Sequence, residues 1–260
     1  MKGFHSIDIR KIMKKVLFLV GVFSVFAYAE VRIYGAGGPA SAVKELALDY
    51  EQKTGQKVSL IVGPPSTWIQ EAKSQADIIL SGSSLMMDNF VQQMEGKLDS
   101  KNIQVLNIRE AGILVRPGNP KRIKGFKDLL DKKLKIIVIN GSGQTSLYED
   151  MALKSGKIAN LIALRKNIAF IAPNTKVALE KWNSDSSMDV FITWKHWANV
   201  LGKDRAEFIP SGKENVIYRA SEAVVVKDSP NASEAKKFLD FILSKEAQKV
   251  WETKGWIANP

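Results

Sequence analysis

The chain has 260 residues, of which 45% are hydrophobic, and 38 lysines and arginines against 27 aspartates and glutamates give it a net charge of +11. This composition is typical of a globular protein of one or two domains, not of a disordered or fibrous chain. Because the sequence contains no cysteine and only two histidines, disulfides, thiolate zinc sites, iron–sulfur clusters and cysteine nucleophiles are excluded.

The amino-terminal segment has the pattern of a secretory signal. Basic residues between Arg10 and Lys15 precede an apolar run at residues 16–26, and Ala27-Tyr28-Ala29 has the small-x-small pattern of a cleavage site. The apolar run is too short to cross a bilayer as a helix. The sequence therefore predicts a signal peptide at residues 1–29 and export to the periplasm. Translation from Met13 and an uncleaved membrane anchor are alternatives.

The first part of the mature chain alternates apolar, β-branched runs with polar loops and segments of helical spacing. Strands are predicted at residues 31–34, 57–62 and 77–80. A helix is predicted to end at Lys53 with Gly55 as its carboxyl cap. Capping-box spacing of Thr67 and Gln70 predicts another helix start.

The second part repeats this alternation. Strands are predicted at residues 135–139, 168–172 and 188–192. Ser146 and Glu149 have capping-box spacing and predict a helix start. A strongly helical tail follows at residues 234–254.

Two extended segments, residues 109–120 and 216–226, separate these groups of predicted elements. Strands that alternate with helices predict an α/β fold with parallel sheets covered on both faces. We therefore expect two lobes, each a mostly parallel sheet flanked by helices, joined by a two-strand hinge. The predicted boundaries give residues 30–112 with 222–260 as lobe 1 and residues 113–221 as lobe 2. One continuous doubly wound sheet is the alternative.

The loops after the predicted strands contain Gly, Ser, Thr, Asn and Gln, which are short neutral donors or permit close backbone approach. In open α/β sheets the ligand lies at the carboxyl ends of the strands, where helix amino termini attract anions. Capping of the helices alone is the alternative explanation. The candidate ligand-binding residues in these loops are Gly37, Gly38, Ser66, Thr67, Ser83, Ser142, Gln144, Thr145, Ser146, Asn174 and Thr193.

A ligand with several negative charges favours an arginine, whose planar fork suits phosphate and carboxylate groups. Arg219, in the second extended segment, is the first candidate, and Arg109, in the first extended segment, is the second. An ion pair or a solvated charge is the alternative for each. Lys195 and Lys44 are weaker candidates. Three tryptophans next to the candidate loops are predicted to pack in the core or hinge: Trp68, Trp194 and Trp197.

Several short motifs distributed along the mature chain resemble those of a known family. They are Tyr34-Gly35-x-Gly37-Gly38-Pro39, Gly63-Pro64-x-x-Thr67-Trp68, Arg109-Glu110-Ala111, Gly118-Asn119-Pro120, Ala172-Pro173-Asn174, Ile192-Thr193-Trp194-x-x-Trp197, Tyr218-Arg219, and the ending Ser244-Lys245-Glu246-Ala247 with Gly255-Trp256. The family is that of accessory colonisation factor C and the major antigenic peptide, which are exported solute-binding proteins.

The resemblance implies a type II periplasmic-binding-protein fold, similar to that of sulfate- and molybdate-binding proteins, with the ligand between two lobes. It also implies a phosphorylated or polycarboxylate ligand such as 3-phosphoglycerate or citrate, and a homodimer. The first loop of the second lobe, residues 140–146, is shorter here than in the family. Fewer donors are therefore expected from it.

No catalytic pattern competes with binding. His196 is the one histidine of the mature chain, and neither a Gly-x-Ser-x-Gly motif nor a nucleotide phosphate loop is present. We therefore expect a periplasmic solute-binding protein that captures a small anion, without metal, cofactor or nucleic acid, and passes it to an ABC-type membrane permease. A surface adhesin or antigen that binds glycans, and an exported hydrolase or transferase, are the alternatives.

Overall fold

The computed structural model describes residues 30–258, so the predicted signal peptide lies outside the described residues. In the first part of the chain, strands and helices alternate in the order β1 (Val31–Gly35), α1 (Ala40–Thr54), β2 (Val58–Val62), α2 (Ile69–Gln75), β3 (Ile78–Ser81) and α3 (Ser84–Gln93). A long strand, β4 (Gln104–Val115), then leads into the second part.

The second part continues the alternation and then returns to the first. Its elements are α4 (Asp128–Asp131), β5 (Ile136–Ile139), α5 (Leu147–Leu153), α6 (Ile158–Asn167), β6 (Ile168–Ala172), α7 (Thr175–Ser184), β7 (Val190–Trp194), α8 (His196–Leu201) and β8 (Glu207–Pro210). The returning elements are β9 (Tyr218–Val225), α9 (Ala232–Ile242), α10 (Lys245–Thr253) and β10 (Ile257–Ala258).

The strands form one hydrogen-bonded path in the order β2-β1-β3-β9-β4-β7-β5-β6, with β8 and β10 also paired to β4. Strand β1 is parallel to β2 and β3, and β5 is parallel to β6 and β7. Residues 104–110 of β4 pair with β9, whereas residues 111–115 pair with β7. We call β2, β1, β3 and β9 the first sheet half, and β7, β5, β6 and β8 the second. Strand β4 connects them.

Both faces of each sheet half are covered, because successive strand residues pack into different cores. In the first half, Ile78 packs in a cluster with Phe238 and Trp251, whereas Ile79 packs with Trp68 and Phe90 on the other face. In the second half the neighbours Ile136 and Ile137 are divided in the same way. The predicted α/β class with mostly parallel sheets flanked by helices is therefore confirmed, while the lobe boundaries stay a prediction.

The predicted strands occur within two residues of their expected positions, and Gly55 caps α1 with a positive φ of 75°. The helix starts predicted from the two capping boxes are confirmed to within one residue, but neither side chain makes the cap. The hydroxyl of Thr67 donates to the carbonyl of Pro64, and Ser146 takes a φ of 59° with no side-chain cap. The helical tail is divided into α9 and α10. Among residues 30–258, no helix has the length and apolarity needed to cross a membrane.

Candidate ligand-binding cleft

A cleft of about 380 Å³ lies between the two sheet halves, at the carboxyl ends of their parallel strands. Every one of these six strands contributes to its lining through the loop or helix that follows it. The contributing residues are Ala36, Gly37 and Gly38 after β1, Gly63, Pro64 and Pro65 after β2, Gly82 after β3, Gly143 and Gln144 after β5, Asn174, Thr175 and Lys176 after β6, and Trp197 after β7.

Three helices of ten or more residues begin at this cleft: α1, α3 and α7. The side chain of Ser83 caps α3 by accepting from the N–H of Met86, and Asn174 caps α7 by accepting from the N–H of Val177. A helix amino terminus carries a partial positive charge and unsatisfied N–H donors. The three helices therefore make the cleft favourable for an anion.

The guanidinium of Arg109, on β4, lies against the cleft although the residue is only 3% exposed. Its Cζ lies 4.2 Å from the ring centre of Trp194, and Nη2 donates to the carbonyl of Gly143 at 3.2 Å. Its Nε has no hydrogen-bond partner, and no carboxylate of the described residues lies within 4.0 Å of it. Within residues 30–258, Arg109 is therefore a buried cation without a counter-ion.

Burial lowers the pKa of Arg109 to about 9, and repulsion by Arg219 acts in the same direction. The group still carries its charge at neutral pH. A buried charge without a partner is destabilising, and an anion bound beside it removes that cost. The cleft thus contains a strong fixed attraction for a negatively charged ligand.

Glycines from three loops surround this guanidinium. A Cβ atom on Gly38 or Gly82 would lie 3.3 Å from a nitrogen of Arg109, and a Cβ on Gly143 would lie only 2.7 Å from Nη2. Any larger residue would therefore crowd the charged group. The glycines allow the backbone, and a ligand, to approach it.

His196 begins α8 behind the cleft lining and is 1% exposed. Its ring stacks on Trp256 with centres 4.8 Å apart, and neither ring nitrogen has a hydrogen-bond partner in the described part of the chain. Burial lowers the pKa of His196 well below its ordinary value, and repulsion by Arg109 adds to this effect. The ring is therefore neutral at neutral pH.

A polar network fixes the side chains at the other end of the cleft. Thr193 donates to Oε1 of Gln144 at 2.9 Å, and Nε2 of Gln144 donates to the hydroxyl oxygen of Thr175 at 3.0 Å. Since Thr175 accepts here, its own O–H remains free to donate. Gln144 thus fixes the side chain of Thr175 at the cleft lining.

The remaining wall is largely apolar, and the second sheet half adds charged residues to the lining. Pro64, Pro65, Met86, Phe90 and Leu179 provide the apolar surface. Lys176 and Glu180 also line the cleft, where they form a 4.0 Å ion pair. No group of three or more His, Asp or Glu side chains suited to a metal ion occurs within residues 30–258.

Of the candidate residues from the sequence, Gly37, Gly38, Gln144 and Asn174 line the cleft. Apart from Ser142, the others do not line it, for different reasons. Ser66 and Thr67 are exposed beside the prolines, Ser83 is a buried helix cap, and Thr193 lies behind Gln144. Thr145 and Ser146 follow the lining residues, and the side chain of Ser142 lies outside the described part.

The structure reverses the order of the two arginine candidates. Arg219 is absent from the cleft lining and forms an ion pair with Asp150, which is the alternative considered for it. Lys195 pairs with Glu110 at 3.9 Å, and Lys44 is exposed on α1. Arg109, the second candidate, is the arginine that lines the cleft.

Three residues at or beside the cleft were not identified as site residues from the sequence: Thr175, His196 and Trp256. Thr175 follows Asn174 in a recognised loop, so its position after β6 was an available signal. Nothing in the sequence pattern placed Trp256 or His196 beside Arg109. Trp194 is confirmed as buried, and Trp197 reaches both the core and the cleft.

Known proteins match this chain in sequence and in structure. A profile of the bacterial extracellular solute-binding protein family matches residues 31–257. PEB3 from Campylobacter jejuni is 33% identical, superposes with a TM-score of 0.80 and matches 88% of this chain and 100% of its own. PEB3 bound to L-phospholactate gives a TM-score of 0.81 with the same identity and coverage.

More distant matches agree in fold. The sulfate-binding protein of Salmonella typhimurium is 22% identical over 236 residues, which are 80% of this chain and 71% of the relative. The substrate-binding domain of a molybdenum ABC transporter from Clostridium difficile is 21% identical, covers 89% of this chain and 99% of its own, and superposes with a TM-score of 0.69. These matches confirm the predicted resemblance and the type II periplasmic-binding-protein fold.

Proposed function

The chain belongs to the bacterial extracellular solute-binding protein family, and we propose that it binds a small organic anion, a phosphorylated carboxylate, in the cleft beside Arg109. The observation that carries this proposal is the guanidinium itself, which is buried, faces the cleft and has no counter-ion among the described residues. Its fork geometry suits a phosphate or a carboxylate.

The size and the lining of the cleft favour an organic anion over a bare tetrahedral oxyanion. A volume of about 380 Å³ exceeds many times the roughly 30 Å³ that one water molecule occupies. Met86, Phe90 and Leu179 offer apolar surface that an oxyanion would not use. L-phospholactate, the ligand of the matched PEB3 complex, has a phosphate, a carboxylate and a methyl group, which suit the guanidinium, the helix termini and this wall.

Capture is followed by delivery in this proposal. The ligand contacts both sheet halves and draws them together, which excludes water and strengthens each contact with the anion. The protein works in the periplasm after export through its signal segment, and passes the ligand to an ABC-type permease. It binds its ligand without converting it, and residue 109 supplies attraction, not chemistry.

A panel of anions tests the proposal. The purified protein is melted with L-phospholactate, 3-phosphoglycerate, citrate, sulfate and molybdate. A ligand present at 100 times its dissociation constant adds about 2.7 kcal/mol to stability, which raises the Tm of a protein of this size by several degrees. We expect the largest shift with a phosphorylated carboxylate.

Two variants assign the binding to an arginine. Arg109→Gln removes the cation that faces the cleft and is expected to abolish the shift. Arg219→Gln removes the cation paired with Asp150 and is expected to weaken binding less than fivefold. Equal shifts for all anions, or none, would contradict the proposal. Binding of glycans without any anion would favour the adhesin, and consumption of the ligand would favour an enzyme.

A further inference from the structure

His196 has hydrogen-bonding capacity that no described residue uses. Both ring nitrogens are buried and lack a partner, although the ring is held firmly between Trp256, stacked at 4.8 Å, and Trp197, whose ring centre lies 4.9 Å away. Buried polar groups in folded proteins are almost always hydrogen-bonded. A buried imidazole fixed in place without a partner indicates a missing ligand group.

The ring lies directly behind Gly38, a residue of the cleft lining. A Cβ atom on Gly38 would lie 3.8 Å from Nε2 of His196 and 3.3 Å from Nη1 of Arg109. Gly38 lines the cleft, and so does Arg109. The imidazole and the guanidinium therefore lie close to one point, and no side chain at residue 38 stands between them.

We propose that His196 belongs to the anion-binding site, and that its Nε2–H donates a hydrogen bond to the same ligand group that Arg109 binds beside Gly38. The inference rests on the proposed function, because it concerns the same cleft. It adds a second hydrogen-bond donor beside Arg109 and places the anionic group of the ligand next to Gly38 in the cleft.

The charges around the ring make its contribution depend on pH. Charged residues beside His196 include Arg109 and Glu110 on β4, Lys195 directly before it in the chain, and Lys254 directly before Gly255, which lies against it. Lys195 pairs with Glu110 and Lys254 pairs with Glu45. Arg109 has no ion-pair partner in the described part of the chain, and after burial it is the second cause that lowers the pKa of His196.

An anion between the two groups changes this balance. It compensates the repulsion by Arg109 and accepts from the protonated ring, so the pKa of His196 rises when the ligand binds. A group whose pKa is higher in the complex takes up a proton on binding, and the affinity then increases as the pH falls. Replacement of the ring by one without nitrogen removes this coupling.

The experiment is calorimetric titration with L-phospholactate in buffers of different ionisation enthalpy, which measures affinity and proton uptake together. His196→Phe keeps the stacked ring and removes both nitrogens. His196→Gln keeps an amide donor near the place of Nε2. We expect His196→Phe to weaken binding by about 10- to 100-fold, as for a lost hydrogen bond to a charged group. His196→Gln should recover part of the loss.

Proton uptake separates a binding residue from a packing residue. It should be largest for the unmodified protein and smaller in both variants, whose Tm without ligand shows that they fold. A loss below threefold in His196→Phe would overturn the inference. So would equal losses in both variants with unchanged proton uptake. If the unmodified protein binds none of the anions tested, the proposed function itself fails and this inference with it.

Discussion

The guanidinium of Arg109 contacts the ring of Trp194 at 4.2 Å and the carbonyl of Gly143 at 3.2 Å. A cation over an aromatic ring contributes about 0.5–2 kcal/mol. Removing a charge of this size from water costs several kcal/mol in a protein interior. Because these contacts offset only part of that cost, the binding residue destabilises the fold until a ligand is bound.

Arg109→Met tests this opposition of stability and binding. The side chain keeps much of its apolar length and loses the buried charge, so the ligand-free protein should become more stable by about 1–3 kcal/mol. Thermal unfolding without ligand is the measurement, and the ligand-induced rise in Tm should disappear in the same variant. A fall in Tm without ligand would contradict the argument.

The choice between two arginines shows the limit of sequence analysis at this scale. Arg109 and Arg219 lie directly opposite each other in the antiparallel pair of β4 and β9, and opposite residues project from the same face. Both extended segments were predicted, as was an arginine in the site. The difference comes from distant partners: Trp194 and Trp256 cover Arg109, whereas Asp150 holds Arg219. No local pattern carries such information.

Asn174 combines two functions at the level of a single helix. Its Oδ1 accepts from the N–H of Val177 and caps α7, while the residue also lines the cleft. A cap of this kind contributes about 1 kcal/mol to stability. Stability and binding can be separated here, because aspartate caps helices as well as asparagine does.

Asn174→Asp keeps the cap and adds a negative charge to the cleft. We expect stability to stay within about 0.5 kcal/mol of the original, since an acid near a helix amino terminus is favourable, and anion affinity to fall at least tenfold through repulsion. Denaturant unfolding and ligand titration measure the two effects.

Ser244→Ala is the matched control for that variant. Ser244 caps α10 by accepting from the N–H of Ala247, and it does not line the cleft. This change should cost about 1 kcal/mol of stability and leave affinity unaltered. If Asn174→Asp bound the ligand as well as the original protein, residue 174 would have no contact with the anion.

Sequence spacing predicted the elements and their starts better than the contacts that cap them. Short apolar runs located the six parallel strands, because burial on both faces demands such runs. The predicted side-chain caps did not form, because spacing does not report backbone conformation. Ser146, at φ 59°, lacks the extended conformation of a capping residue. Pro65 instead starts a 3₁₀ turn, Pro65–Thr67, and α2 begins only at Ile69.

The second sheet half approaches the first across the cleft at the loop that contains Gly143. A Cβ on Gly143 would lie 3.5 Å from Cε of Met86 on α3 and 3.7 Å from Oγ of Ser83, as well as 2.7 Å from Arg109. This glycine thus permits the second half to approach both the first half and the guanidinium. The short loop at residues 140–146, from which fewer donors were expected, supplies close approach instead. The length of this loop can be read from the sequence, but the surface of α3 that it approaches cannot.

Gly143→Ala tests whether this approach is needed for closure around the ligand. The added methyl group must displace Nη2 of Arg109, which is buried against Trp194, or hold the loop away from α3. We expect affinity for L-phospholactate to fall by about tenfold, the equivalent of one hydrogen bond. Small-angle X-ray scattering should show a smaller decrease in radius of gyration on ligand addition than in the original protein.

Gly125→Ala provides the comparison, because a Cβ there would make only ordinary contacts, 3.7 Å from the carbonyl oxygens of Pro210 and Ser211. Its affinity and its change in radius of gyration should match those of the original protein. Equal compaction and equal affinity in Gly143→Ala would mean that the halves close without this contact. Loss of both in that variant alone would show that closure and ligand binding require a residue without a side chain at position 143.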